Sequence, residues 1–174
     1  DLIRAVFRPE AIGVRSEAGE ARTLFGHFAV FDQWTEINNY WEGHFKERLA
    51  KGCFTKTIKE NRSTVKVLYD HGYDPQLGNK PLGPIDELRE EDKGPYYEVP
   101  LIDTDYNRDF VIPATDAGLL GASFRFRVIK DEWDESPVEK GGLPERTIKE
   151  VRLYEFGPVT FPAYEAATAG LRSA

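Results

Sequence analysis

Leu119–Val128, LLGASFRFRV, is the stretch on which the reading of the fold turns. A turn of small residues, Gly121-Ala122, runs into Ser123, and Phe124-Arg125-Phe126-Arg127-Val128 then alternates apolar and charged side chains. A period of two marks a half-buried strand. Phe124 and Phe126 are expected to face a core, and Arg125 and Arg127 to face outward. Ser123 starts the strand on the arginine face, with its hydroxyl presented at an edge and small neighbours that let a peptide backbone approach. The plain alternative is a surface serine at a strand start.

Outward from that strand, the same signals recur. Asp1–Arg8 reads as a short strand, Glu10–Ala21 as a hairpin region, and Thr23–Phe31 as a central strand. Gly26 within the central strand implies a bulge or a close backbone approach, and His27 is read as a core or strand-face histidine. Asp32–Phe45 carries aromatics without a period and reads as a loop. Glu47–Glu60 has helical spacing, split by Gly52, with Cys53 as a small buried hydrophobe. Val65–Tyr69 is a strand ending at Asp70-His71-Gly72, and Tyr73–Pro84 is a loop of turn residues. Ile85–Arg89 and Tyr96–Asp103 make a hairpin around Glu90–Gly94. Thr104–Ala117 reads as a helix whose C-terminal end Pro113 limits. Asp131–Pro144 is expected to be an exposed loop. Glu145–Glu155 reads as a long strand in which Val151 is offset by one from strict alternation. Phe156–Tyr164 adds turns, and 165–174 reads as a short helix or a frayed tail. Many strands with two helices imply an α+β fold, a closed or nearly closed β-barrel with a few peripheral helices.

The 174 residues fit one domain with a sizeable core. A net charge of −7 argues against a general nucleic-acid partner. No apolar run approaches the roughly 18 residues of a membrane span, and no signal peptide is read. A single cysteine, Cys53, makes no internal disulfide, which fits the cytosol. Methionine is absent, so the expectation is that Asp1 is not a translation start and that the ends were trimmed.

Nucleophilic hydrolysis needs a nucleophile, a base within hydrogen-bond reach and a group that orients the base. The chain has three histidines, His27, His44 and His71. His71 ends a strand and opens a Gly/Pro loop, the usual place for a catalytic group on a rigid scaffold, so it ranks first. Its plain alternative is a turn histidine. Glu155, beside apolar Leu153 and Phe156, needs a partner, and an imidazolium would supply one. Asp70 and Asp74 are rivals for the orienting role. Asp70 is expected to point to the opposite strand face from His71, and Asp74 to cap a turn. A metal site from Asp70, His71 and Asp74 lacks the paired His or Cys spacing of metal centres. No metal and no cofactor is therefore expected.

Four segments together resemble the tailed-phage prohead proteases, the enzymes of capsid maturation. GHFAVFDQWTEI (Gly26–Ile37), followed by Gly43-His44-Phe45 and Lys51-Gly52-Cys53-Phe54, resembles the family's N-terminal block. LYDHGYDPQLGNKPLGPI (Leu68–Ile85) matches its strand ending in His and its loop closing in Pro-x-Gly. GASFRFRV resembles the nucleophile block and VRLYEFGPVTFPAYEAA (Val151–Ala167) the closing block. The resemblance implies a serine endopeptidase with His71 as base, Ser123 as nucleophile and Glu155 as third member. It also implies a fold like that of the herpesvirus assemblins, which use His…Ser…His where Glu155 stands here. The partners it implies are the major capsid protein with its scaffold region and, through self-cleavage, the chain itself. It leaves room for a homo-oligomer, and the place is the prohead interior in the host bacterial cytoplasm. One departure is the family's Ser-x-Gly-Phe, here Ser123-Phe124-Arg125-Phe126. Phe124 and Arg125 would therefore sit at the oxyanion site or the substrate groove, and Arg125 would either stabilise the oxyanion through water or narrow the groove. A catalytically inactive capsid-assembly or scaffold domain on the same fold is the alternative reading.

Overall fold

The computed structural model describes residues 1–16 and 22–161. Its frame is an antiparallel pair of long strands, β9 (Gly121–Asp134) and β10 (Glu145–Val159). The strand read from Ser123 thus starts at Gly121 and runs on to Asp134. The expected loop at 131–144 shrinks accordingly, because Asp131 to Asp134 pair with Ile148 to Glu145. Only the far end is a connection, and it carries a short 3₁₀ turn at Ser136–Lys140.

β9 and β10 lie within a six-stranded sheet. β1 (Leu2–Val6) pairs with the free side of β9, and β5 (Gly43–Leu49) and β6 (Lys66–Val67) both pair parallel with β10. β4 (Thr35–Asn39) forms a hairpin with β5. Thr35–Asn39 and Gly43–Leu49 are therefore strands, where the sequence shows aromatics without a period. The cause is a tip that exposes Tyr40 and Trp41 while only Ile37, Phe45, Glu47 and Leu49 turn inward. Glu47 to Leu49 join β5 and leave α1 (Thr55–Asn61) as the helix.

The second sheet has the order β2 (Gly13–Ser16), β3 (Arg22–His27), β8 (Pro95–Pro100), β7 (Glu87–Glu90). β2 and β3 form the expected hairpin, its connection at 17–21 lying outside the described residues. β7 and β8 form the other. The α+β reading holds. The barrel resolves instead, among the described residues, into two sheets with no ladder joining them. The β3 ladder ends at His27, one residue past Gly26 (φ 152°), which presses against the carbonyl of Ala11, where a Cβ would lie 2.2 Å from the oxygen. The chain then turns inward at Phe28 and Ala29.

The core is aromatic. Phe28 stacks on Phe156 at 4.7 Å between centroids and meets Phe124 at 5.2 Å, with Phe54 and Tyr97 closing the cluster. α1 packs on β10, and Thr57 Oγ1 accepts the buried N–H of Leu153. Cys53 is buried beside it, and burial pushes its thiol far up. The expected helix at 104–117 is wound through a π turn, Asn107–Val111, into α2 (Ile112–Asp116). Pro113 stands just after the π turn, at the start of α2, rather than at the helix end. No helix among the described residues is long and apolar enough to cross a membrane.

Candidate active site

Two irregularities of the backbone build the site. The first is a bulge in β10. Leu153 pairs with Phe126, but Glu155 pairs with the very next residue of β9, Arg125. Tyr154 is the extra residue, and an extra residue exchanges the two faces of a strand. Leu153 therefore faces the core, while Glu155 shares the opposite face with Arg125 and, two residues on, Ser123. The second is the turn at Tyr69–Gly72, where Asp70 (φ 49°) and His71 (φ 56°) are left-handed. Non-glycine residues hold such angles when the surroundings fix them. Here the Leu68 N–H bonds to the Phe156 carbonyl at 3.0 Å, and the Leu68 carbonyl lies against Gly157, where a Cβ would be only 1.9 Å away. Tyr69 adds a 2.6 Å hydrogen bond to Thr160 and an edge contact with Phe110. Gly157 is also the register partner of Ser123, so the turn that carries His71 is set down over the serine.

The result is one hydrogen-bonded chain. His71 Nδ1 lies 2.6 Å from Glu155 Oε2, and His71 Nε2 lies 2.7 Å from Ser123 Oγ. His71 is 6 %, Glu155 1 % and Ser123 0 % exposed. The three residues singled out from sequence are thus brought together. The serine is not at an open edge, however, because β1 covers it. Ala5 pairs with Ser123, and Ser123 Oγ also lies 3.0 Å from the carbonyl oxygen of Arg4. β1 is in turn fastened by Arg4, whose guanidinium holds Glu47 at 2.7 Å and Glu42 at 2.8 Å. Asp1–Arg8 reads as a strand in the sequence, but pairing across more than a hundred residues leaves no local signal.

Arg125 stands next to the buried carboxylate, its Nε 3.5 Å from Glu155 Oε2, with a third of its side chain exposed. Phe124, grouped with it from sequence, sends its ring the other way, into the aromatic core. The rivals fall away. Asp74 Oδ2 accepts the N–H groups of Gln76 and Leu77, a turn cap. Asp70 makes no hydrogen bond to His71 among the described residues, and burial pushes its carboxyl up against the pull of the His71 charge. His27 and His44 have carboxylates of their own, Glu91 at 2.8 Å and Glu36 at 3.5 Å. No cluster of three or more His, Cys, Asp or Glu among the described residues is placed to hold a metal.

A hydroxyl hydrogen-bonded to an imidazole that is hydrogen-bonded to a carboxylate is the arrangement of a serine hydrolase. The family model of the caudovirus prohead serine proteases matches residues 10–174, and the chain belongs to that family. Among solved structures it is similar to the bacteriophage T4 capsid assembly protease, gp21, with a TM-score of 0.56. The identity is 15 % over 92 % of this chain and 97 % of that one, a likeness of fold. No curated protein matches the chain.

Proposed function

We propose that the chain is the serine endopeptidase of phage capsid maturation, acting inside the prohead in the host cytoplasm. Its substrates are the scaffold region of the major capsid protein and the chain itself, and the fold is read as assemblin-like. Ser123 is the nucleophile, His71 the base and Glu155 the group that orients it. The single observation that carries the reading is the chain Ser123 Oγ, His71 Nε2, His71 Nδ1, Glu155 Oε2 with links of 2.7 and 2.6 Å.

In the reaction, Oγ attacks the scissile carbonyl carbon while its proton passes to Nε2, and the Glu155 carboxylate stabilises the imidazolium that forms. The imidazolium then protonates the leaving amine, and water hydrolyses the acyl-enzyme by the same route. Arg125 lines the groove beside His71, so its guanidinium is placed to favour developing negative charge. Phe124 contributes by anchoring this stretch of β9 in the core. The second reading, an inactive capsid-assembly domain, draws on the complete burial of Ser123.

Co-expression with the major capsid protein and its scaffold region separates the two. The scaffold is expected to be removed by the wild-type chain and to stay intact with Ser123→Ala. Equal removal by both would overturn the assignment, and no removal by either would favour the inactive domain.

A further inference from the structure

A groove of about 900 Å³ opens beside His71, between the β6 segment and the loop that closes in Pro81–Ile85. Its walls are mixed, with Val65, Leu68, Pro84 and Ile85 among the apolar residues. Its charged side chains other than His71 are Arg62, Lys66 and Arg125, and no carboxylate lines it. The whole chain carries 30 acidic against 23 basic residues, so a groove lined by cations alone runs against the protein's own charge. Lys66 is exposed and makes no ion pair or hydrogen bond among the described residues. Arg62 is held in place by a 2.7 Å bond from Nη2 to the Asp86 carbonyl oxygen, a group that does not neutralise it. Arg125 shares its charge with Glu155. A cleft with walls of one sign concentrates ligands of the other.

Register fixes the distances. Lys66 pairs with Glu155, which pairs with Arg125, and Ser123 lies two residues along β9 from Arg125. Two strand spacings across and two residues along place Lys66 about 12 Å from Ser123, the reach of three to four residues of extended peptide. We propose that this groove binds one side of the substrate peptide, and that Arg62 and Lys66 select an Asp or Glu side chain three to four residues from the scissile bond. The inference rests on the protease reading above and names its substrate class. The groove's place beside Ser123 and His71, in a chain of net charge −7, favours a peptide over nucleic acid.

The test digests a proteome-derived peptide library with the wild-type chain, Lys66→Glu, Lys66→Gln and Arg62→Glu, and maps cleavage sites by mass spectrometry. Each protein is also labelled with a fluorophosphonate. In the wild type, Asp and Glu should be enriched roughly 1.5- to 5-fold at one fixed position, as for a partly exposed ion pair, and less at high salt. Lys66→Gln should flatten the enrichment and Lys66→Glu should turn it toward Lys and Arg. Labelling of Ser123 without an acidic preference, or with one the variants leave unchanged, sinks the groove assignment and leaves the protease reading standing. Cleavage without that preference but blocked by short single-stranded DNA would assign the groove to phosphate instead. Neither labelling nor cleavage sinks both.

Discussion

Ser123 has one proton and two acceptors for it, His71 Nε2 and the Arg4 carbonyl oxygen. Only the first leads to chemistry, so the hydroxyl is productive when Arg4 is not its partner. Ser123→Ala should abolish proteolysis, a loss on the order of 10³-fold or more, and His71→Ala should match it. The double variant should be no worse, because the two side chains act as a unit, and initial rates on the co-expressed scaffold check this. Glu155→Gln keeps shape but cannot stabilise the imidazolium, and should cost somewhat less than Ser123→Ala though still on the order of 10³-fold or more. If Asp70→Asn inactivates and Glu155→Gln does not, the third member is wrongly named. Gly157→Ala would drive a Cβ into the Leu68 carbonyl, 1.9 Å away. It should lower stability by about 1–3 kcal/mol, read as a fall in Tm, and reduce activity with it. These residues were legible in sequence as types at strand ends. The glycine that lets the His71 turn settle on β10 was not, since its reason lies in a contact between distant segments.

At the level of elements, the bulge at Tyr154 decides which way Glu155 faces. Deleting Tyr154 should close the bulge with Leu153 still opposite Phe126 and Glu155 still opposite Arg125, so Glu155 should keep the face it shares with Ser123. Activity should then be largely retained, well above that of Glu155→Gln. A folded deletion variant as impaired as Glu155→Gln would contradict that account of β10. The sequence carries a trace of such irregularity in the offset of Val151, and the ladder indeed shifts register between Ile148 and Val151. The bulge that matters, two residues further on, hides among apolar residues that suit either face. β1 makes a second case. Burial pushes Glu42 up, but the hydrogen bond and charge of Arg4 outweigh it and hold the carboxyl below its usual value. A depressed carboxyl stabilises above its unfolded pKa and loses that contribution as pH falls through the folded one. Hydrogen exchange of β1 amides should therefore quicken relative to β10 as pH drops below about 4.5, and Glu42→Gln should remove that pH dependence.

For the whole molecule, the α+β class and the order of most strands followed from alternation and turn residues. Hairpins such as β7–β8 were legible because they are local. The division into two sheets was not, because it depends on which distant edges meet and on the inward turn of the chain after Gly26. The β4–β5 hairpin escaped because its tip spends its aromatics on solvent. The tail at 165–174 lies outside the described residues, and its trimming is a matter for mass. Full-length wild-type and Ser123→Ala proteins, purified side by side with inhibitors of host proteases, should differ in intact mass, with the wild type shortened. Equal masses over days at neutral pH would exclude self-trimming under those conditions.

The account turns on Ser123 being activated by His71, and fluorophosphonate labelling mapped by mass spectrometry measures that directly. The expected result is a single adduct on Ser123 of the wild type, none on Ser123→Ala, and labelling slowed on the order of 10³-fold in His71→Ala. An adduct on another residue, or equal labelling of Ser123 with and without His71, would contradict it.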